Sequence, residues 1–249
     1  MSNHKADLRI RAVEMPDDIH DPQFDDLDER LQKPPFVMVF QAPVKSGKST
    51  AMMNLLYNDN FYRDRFDNVI ICSPTIEGDL TWATALDDDK NYIITGSKLE
   101  DLDNVIYQIW NRLYAKVTEA EKNGEHIPHT LVIIDDCLGK MGRKFEEVIA
   151  RHRHPRMSFL VSSQDFRKIP QVCRNNASHY VIFRTYSKVE LKKMQEEFGS
   201  VVGEDNFIRL YEQATKKKFN FLQLKKWDRE AWQNFDTLLW KEEQTEEQA

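Results

Sequence analysis

The feature that most constrains this chain is the segment 42–50, which directly follows the apolar run 36–40. An apolar strand that turns through Gly-Lys-Ser into an apolar helix is the setting of a phosphate-binding loop. Such a loop curls backbone N–H groups around a triphosphate at a helix N-terminus, where the helix dipole also favours negative charge. The residues expected to bind the nucleotide are Ala42, Pro43, Val44, Lys45, Ser46, Gly47, Lys48, Ser49 and Thr50.

Three residues of this loop have separate expected roles. Gly47 lets the backbone approach the phosphates without an intervening Cβ. Lys48 is predicted to reach the β- and γ-phosphates, and the Ser49 hydroxyl is predicted to bind Mg²⁺. The sequence therefore predicts ATP with Mg²⁺ as the ligand, in preference to an unliganded surface turn of Gly, Ser and Lys.

One residue departs from the motif G-x-x-x-x-G-K-[ST], because Ala42 stands where the pattern has glycine. Alanine adopts a positive φ only at a cost, so we expect a negative φ at this position. The departure also leaves open a nucleotide-binding module that does not hydrolyse its ligand.

Short β-branched runs separated by helical patterns indicate an α/β fold with a mainly parallel sheet flanked by helices. In such a sheet, ligands collect at the carboxyl ends of the strands. The alternating segment 218–224 predicts an edge strand, and the apolar run 238–240 predicts a final helix. The buried strands are expected at 68–74, 92–96, 130–136, 158–164 and 180–184, and the helices at 99–122, 187–198 and 205–215.

The distribution of charge suggests three parts: an acidic arm at 1–33, a P-loop ATPase domain at 34–226, and a C-terminal helix with an acidic tail at 227–249. The arm is either a free tail or an extension that reaches a neighbouring subunit. The net charge of −6 argues against a protein that coats nucleic acid with its whole surface.

The cysteines and the hydropathy of the chain indicate in which cellular compartment the protein is expected. The three cysteines have no C-x-x-C spacing, which favours reduced, intracellular thiols. No apolar stretch approaches the roughly 18 residues of a membrane span, and the N-terminus has no apolar secretion signal.

Two further strands end in polar residues suited to phosphoryl chemistry. The apolar run 131–134 ends in Asp135 and Asp136, which has the form of a Walker B element. Asp135 is expected to hold Mg²⁺, and Asp136 to orient or deprotonate the attacking water. Gln164, after the run 158–163, is suited to contact the γ-phosphate or that water. An Asx turn and a solvent-facing glutamine are the alternatives.

The order and spacing of these motifs resemble the FtsK/HerA superfamily of DNA-translocating ATPases. The similarity is greatest to the genome-packaging ATPases of poxviruses and related double-stranded DNA viruses. It rests on the three strand ends, the Arg-His segment 150–159 and the segment 169–184, which contains Ile-Pro and Arg-Asn-Asn-Ala-Ser. It covers roughly residues 36–186.

This resemblance implies a RecA-like core that forms a pentameric or hexameric ring around double-stranded DNA. ATP hydrolysis would drive DNA into a capsid, with capsid proteins as partners. The expected location is the host cytoplasm or viral factory, or the virion. In such rings an arginine of one subunit completes the ATP site of the next. Arg151 and Arg153 are the first candidates and Arg174 is the second.

Contact with DNA is expected at the phosphates, because a motor moves along any sequence. Two basic stretches are candidates, Lys140–Lys144 and Lys216–Lys218, although both also fit ordinary surface lysines. A DNA motor of the cellular type, working in repair or segregation, is the alternative within the same superfamily.

Overall fold

Nine strands form one sheet in residues 21–243, the part of the chain that the computed structural model describes. The strands are β1 Val37–Gln41, β2 Asn68–Cys72, β3 Asn91–Ile94, β4 Thr130–Ile134, β5 Met157–Ser163, β6 His179–Phe183, β7 Phe221–Lys225, β8 Glu230–Gln233 and β9 Thr237–Lys241. The helices are α1 Lys48–Tyr57, α2 Ala83–Asp87, α3 Leu102–Asn123, α4 Arg143–Ala150, α5 Gln171–Asn176, α6 Lys188–Val202 and α7 Glu204–Ala214.

The strand order is β3-β2-β4-β5-β1-β6-β7-β8-β9. The pairs from β3 to β6 are parallel, and those from β6 to β9 are antiparallel. This confirms the predicted α/β fold with a mainly parallel sheet. Because β1, β4 and β5 are neighbours and run the same way, their carboxyl ends meet at one edge of the sheet.

Both faces of the sheet are covered, which explains why the central strands read as continuous apolar runs. Val37 and Val39 of β1 pack with buried residues of α3, α4, α6 and α7. Met38 and Phe40 alternate with them and pack on the opposite face, against α1. The strand β1, which leads into the phosphate-binding loop, is therefore held rigidly from both sides.

The second half of the predicted arm packs on the domain. Phe24 is almost completely buried, and its ring meets the His129 ring edge-on at 4.9 Å. The carboxylate of Asp21 lies 2.7 Å from His129 Nε2, and Gln23 Nε2 donates to the Arg65 carbonyl at 2.6 Å. Residues 21–33 are thus part of the domain, whereas residues 1–20 of the arm lie outside the described part.

The helix predicted at the C-terminal end is wrong. Leu238, Leu239 and Trp240 belong to the strand β9 and not to a helix, because Asn234-Phe235-Asp236 form a turn that returns the chain beside β8. A run of three apolar residues is too short to distinguish a helical period from an extended one. The acidic tail from residue 244 onward lies outside the described residues.

The predicted edge strand is also misplaced. The strand β7 lies between β6 and β8 and is buried along its whole length, since the hairpin β8–β9 covers its far side. In contrast, β3 was expected to be buried but forms one edge of the sheet, and Tyr92 on it is 49% exposed. The hairpin extends the ATPase sheet, so the boundary predicted at 226/227 divides a single sheet.

Among the residues from 21 to 243, no helix combines the length and apolar character needed to cross a bilayer.

Candidate active site

The phosphate-binding loop connects β1 to α1, as the sequence predicts. Ala42 is completely buried, and its amide donates to the Ser163 carbonyl at 3.1 Å, which ties the loop to β5. Its φ is not positive. The left-handed turns fall instead on Lys45, with φ 60°, and on Gly47, with φ 99°. Ala42 therefore fits the loop without backbone strain, and its methyl group packs in the core.

Lys48 joins the loop to the acidic end of β4. The side chain is buried, and its Nζ lies 2.8 Å from Asp135 Oδ1 while also contacting Asp136 Oδ2. A buried lysine is stable here because two carboxylates neutralise its charge. The structure thus brings Lys48 into contact with two adjacent carboxylates, the second of which lies 88 residues further along the chain.

Ser162 orients both aspartates from the neighbouring strand β5. Its Oγ donates to Asp135 Oδ1 at 2.7 Å and accepts the Asp136 N–H at 3.1 Å. Asp136 has a φ of 53°, in the left-handed region that aspartate tolerates better than most residues. Asp135 is only 3% exposed and also accepts the Ser73 hydroxyl at 3.4 Å. Asp135 is consequently fixed, while the Asp136 side chain is 25% exposed.

Gln164 lies at the same edge of the sheet, as predicted. Its side-chain Nε2 donates to Asp136 Oδ2 at 3.0 Å, and its backbone carbonyl accepts from Gln41 Nε2 at 3.0 Å. The side chain remains exposed. A carboxylate and an amide that can both contact a water molecule therefore stand together above Lys48.

These groups line a cleft of about 760 Å³ beside the phosphate-binding loop. The opposite wall is formed by the segment 75–81 after β2, including Thr75, Asp79 and Thr81. The sequence motifs do not point to this wall, although its position after a strand end is a usable signal. They also give no role to Ser162 or Phe219. Phe219 carries no sequence signal, because it reaches the loop from the distant turn that precedes β7.

The nearby thiols take no part in ionic chemistry. Burial, and then the charges of Asp135 and Asp136, raise the pKa of Cys137 to about 12. Burial likewise raises the pKa of Cys72 well above its ordinary value. Both side chains therefore remain neutral and act as small apolar groups in the wall behind the site.

The residues present fit a magnesium nucleotide. In the described residues no three His, Cys, Asp or Glu side chains form a metal-binding group. Mg²⁺ binds through one or two protein oxygens together with phosphates and water. Ser49 and Asp135 are the available protein oxygens. The Ser46 hydroxyl is buried without a hydrogen-bond partner, as expected of a group that faces a ligand.

The candidate arginines are not in this cleft. Arg151 and Arg153 precede β5, at the opposite edge of the sheet from Lys48, and both are exposed. Arg151 pairs with Glu147 at 3.0 Å. Arg174 is half-buried, pairs with Glu197 at 2.5 Å and lies over the Phe166 ring at 5.4 Å. Neither Arg151 nor Arg153 can reach the ATP site of its own subunit.

The basic stretches considered for DNA also have defined positions. Lys144 at the start of α4 donates to Asn104 at 2.6 Å and lies over the Tyr107 ring. Lys217 and Lys218, together with Arg184, line a separate cleft of about 440 Å³ next to loop residues 43–46. The second stretch therefore borders the phosphate-binding loop.

Comparisons with known proteins give one family and several similar structures. A family model described as Poxvirus A32 protein matches residues 23–218. No curated protein matches the chain.

Among solved structures, the DNA-packaging ATPase B204 from Sulfolobus Turreted Icosahedral Virus is 16% identical with a TM-score of 0.59. The match covers 82% of this chain and 98% of that one. The genome packaging NTPase B204 from Sulfolobus turreted icosahedral virus 2, in complex with ATP-gammaS, is 18% identical with a TM-score of 0.56, over 84% and 100%. The pCW3 conjugation coupling protein TcpA is 14% identical with a TM-score of 0.52, over 77% and 57%. These likenesses show the fold, a RecA-like P-loop core.

Proposed function

Because this chain belongs to the poxvirus A32 protein family, we propose that it is an ATPase that packages viral double-stranded DNA into a capsid. The observation that carries the proposal is the meeting of Lys48 with Asp135 and Asp136 beside Gln164. These are the parts that phosphoryl transfer to water requires: a cation at the phosphates, a magnesium ligand and groups that orient water. The similar solved structures include a DNA-packaging ATPase and a genome packaging NTPase, which supports the same function.

The residues divide the chemistry among them. The loop amides and Lys48 bind the triphosphate, and Lys48 exchanges its contact with Asp136 for the phosphates when ATP enters. Asp136 is then released to accept a proton from the attacking water, which Gln164 holds in line. Ser49 and Asp135 would hold Mg²⁺, which would neutralise charge on the phosphate oxygens. Ser162 keeps both aspartates in place throughout.

The site is completed by a second copy of the chain. Arg153 is exposed, forms no ion pair within residues 21–243 and lies at the sheet edge away from its own cleft. In a ring, that edge of one subunit faces the cleft of the next, so Arg153 stabilises the charge that develops on the γ-phosphate. Arg151 is the alternative, and Arg174 ranks below both because Glu197 already engages it.

The remaining parts of the proposal follow from the packaging function. The protein assembles as a pentameric or hexameric ring, contacts the phosphates of double-stranded DNA and docks on capsid proteins. It works in the host cytoplasm or viral factory and accompanies the virion. The overall charge of −6 is compatible with DNA contact through local basic stretches such as Lys216–Lys218.

The direct test compares ATP turnover, with and without double-stranded DNA, in wild type, Lys48→Ala and Asp136→Asn. We expect DNA to stimulate the wild type, Lys48→Ala to lose nucleotide binding, and Asp136→Asn to keep binding but lose turnover by about a hundredfold or more. The matched control is Asp89→Asn, a change of an exposed carboxylate outside the cleft.

Two results would contradict the proposal. Turnover that ignores DNA, in a protein that never forms a ring at any concentration, would exclude a packaging motor. Tight ATP binding without any phosphate release would favour a non-hydrolysing assembly module. The mass in solution, measured with and without ATP analogue and DNA, distinguishes a ring from a lone domain.

A further inference from the structure

The ring of Phe219 lies against the phosphate-binding loop. A Cβ added at Gly47 would come within 3.2 Å of Phe219 Cδ1. Phe219 is nevertheless 55% exposed, and its backbone has a φ of 70°. A bulky residue at positive φ is an uncommon and costly arrangement. Phe219 is the first residue beyond the segment that matches the family.

A second cleft, of about 420 Å³, opens on the other side of this ring. Gly47, Thr50 and Phe219 line both this cleft and the phosphate cleft, so the two are continuous. Its walls combine aromatic rings with side-chain amides. The aromatic residues are Phe61, Phe219, Phe221 and Phe235, and the amides are Asn54, Asn220 and Asn234.

Ring contacts and hydrogen bonds hold the residues that line this cleft in place. The Phe235 ring meets Phe61 at 5.5 Å and Phe221 at 4.9 Å, both at steep angles. Asn234 fixes the turn, because its backbone N–H donates to the Phe221 carbonyl at 3.0 Å and its side-chain Oδ1 accepts the Phe221 N–H at 3.3 Å. The side chain of Asn220 makes no hydrogen bond within residues 21–243. A preformed aromatic cleft with one unused side-chain amide, that of Asn220, is suited to a flat heterocycle.

The direction of the loop places this cleft at one end of the nucleotide. Lys48, Asp136 and Gln164 mark the γ-phosphate end, since the loop lysine reaches the β- and γ-phosphates. Thr50 follows at the other end, where the α-phosphate lies. Asn54 stands one helical turn beyond it, with its Nδ2 bonded to the Thr50 carbonyl at 2.9 Å. The cleft therefore begins where the ribose and base must continue.

We propose that this cleft, between α1 and the hairpin that follows β7, binds the purine base of the nucleotide, with Phe219 stacking on it. The inference rests on the proposed function, because it assigns the base of the same ATP. It means that residues 219–235, outside the family match, complete the nucleotide site.

The neighbouring cleft beside loop residues 43–46 is a weaker candidate for the base. It is lined by Arg184, Lys217 and Lys218 and bordered by Tyr186, which is 89% exposed, while Phe219 and Asn220 line both clefts. Its cations, which also include Lys45, suit phosphate oxygens better than the uncharged ring of a base. Tyr186 thus provides a matched aromatic control on the far side of the loop.

The test measures affinity for ATP and for inorganic tripolyphosphate, which has the phosphates without the base. Phe219→Ala is expected to weaken ATP binding about tenfold, as loss of one stacked aromatic does, and to leave tripolyphosphate binding unchanged. Tyr186→Ala should leave both affinities unchanged. An equal loss for both ligands in Phe219→Ala, or a loss selective for ATP in Tyr186→Ala, would overturn the proposal.

A second measurement uses the wild-type protein and does not depend on the folding of a variant. Photolabelling with 8-azido-ATP followed by peptide mapping is expected to mark residues 50–61 or 219–235. Labelling confined to 183–186 or 215–218 would place the base in the other cleft and overturn the assignment. Failure of the proposed function is distinguishable, because it would appear as ATP turnover that ignores DNA or as bound ATP without phosphate release, and neither result changes which peptide is labelled.

Discussion

The hydroxyl of Ser162 donates to the Asp135 carboxylate at 2.7 Å and thereby joins the acidic end of β4 to β5. The same oxygen accepts the Asp136 amide at 3.1 Å. One small side chain thus sets the orientation of two acidic residues while remaining completely buried. Ser162 acts through these aspartates and is a positioning residue.

Ser162→Ala should lower the kcat of ATP hydrolysis by about 10–100-fold, the usual effect of losing a supporting hydrogen bond around a catalytic centre. The KM for ATP should change little, because the loop and Lys48 are untouched. Steady-state turnover at saturating DNA measures both values.

The control is Ser158→Ala, a buried serine at the opposite end of β5 whose Oγ accepts the Phe36 N–H at 3.2 Å. Each variant should lose about 1–3 kcal/mol of unfolding free energy, because each leaves a buried polar partner unsatisfied. Equal losses of turnover in both variants would show that Ser162 matters only for stability.

Ala42→Gly should leave ATP turnover within about twofold of wild type, because Ala42 already has the φ that the loop needs. The free energy of unfolding should fall by about 1–2 kcal/mol, because one buried methyl group is lost and glycine has more conformational freedom in the unfolded chain. Urea denaturation and steady-state turnover check the two parts. A large gain in turnover would show that the natural loop is compromised.

Arg153→Ala should retain ATP binding and ring formation but lose turnover by about a thousandfold, the effect of removing an arginine that acts in trans. Mixing it with Asp136→Asn subunits should restore part of the activity, since some interfaces then combine an intact cleft with an intact arginine. If the mixture stays inactive although mixed rings form, Arg153 does not act across the interface.

Arg174→Ala should behave differently, because Arg174 is paired with Glu197 inside its own subunit. We expect a loss of about 1–3 kcal/mol in unfolding free energy, the range for a hydrogen bond to a charged group. The turnover of folded protein should be preserved. Glu197→Gln should give a similar loss of stability. A variant that is stable but inactive would return Arg174 to the candidates for the trans-acting arginine.

Acid should destabilise the protein through buried histidines. Burial lowers the pKa of His152 from 6.5 to about 4 and that of His179 from 6.5 to about 3. Because the folded-state values are depressed, the unfolded chain binds more protons below pH 6.5. Above pH 6.5 the two histidines therefore do not reduce the free energy of unfolding. That free energy falls as the pH drops from 6.5 toward 4.

The pH effect can be measured by urea denaturation at pH 6.5 and pH 5. Between pH 6.5 and pH 5, each of these two histidines should lower the free energy of unfolding by about 2 kcal/mol. His179→Gln should reduce the acid sensitivity by that amount, whereas His126→Asn, a change at an exposed position, should not. An unchanged slope in His179→Gln would contradict the assignment.

The sequence was sufficient to predict the site wherever a local motif and the direction of the strands point to the same position. The loop 42–50 follows an apolar strand, and the two other strands end in Asp135-Asp136 and Gln164. Parallel strands with buried faces bring such ends to one edge, so the meeting of Lys48 with both aspartates could be expected. The helix at 99–122 was also predictable, because its apolar spacing is long and regular.

The sequence failed where a short pattern fits two conformations. Three apolar residues at 238–240 fit either a helix or a strand, and pairing of Ala231 with Trp240 decided for the strand. The sequence likewise could not tell an edge strand from a central strand of the sheet. The burial of β7 depends on the hairpin β8–β9, which packs beside it.

By itself the sequence determined the fold class, the phosphate-binding loop and the residues at the carboxyl ends of β4 and β5, because these depend on local pattern and on strand direction. Only the tertiary structure decided that Ser162 fixes the two aspartates, that Arg153 faces away from its own cleft, and that Phe219 covers Gly47. These are contacts between segments far apart in the chain, and their geometry follows from packing, which no local pattern specifies.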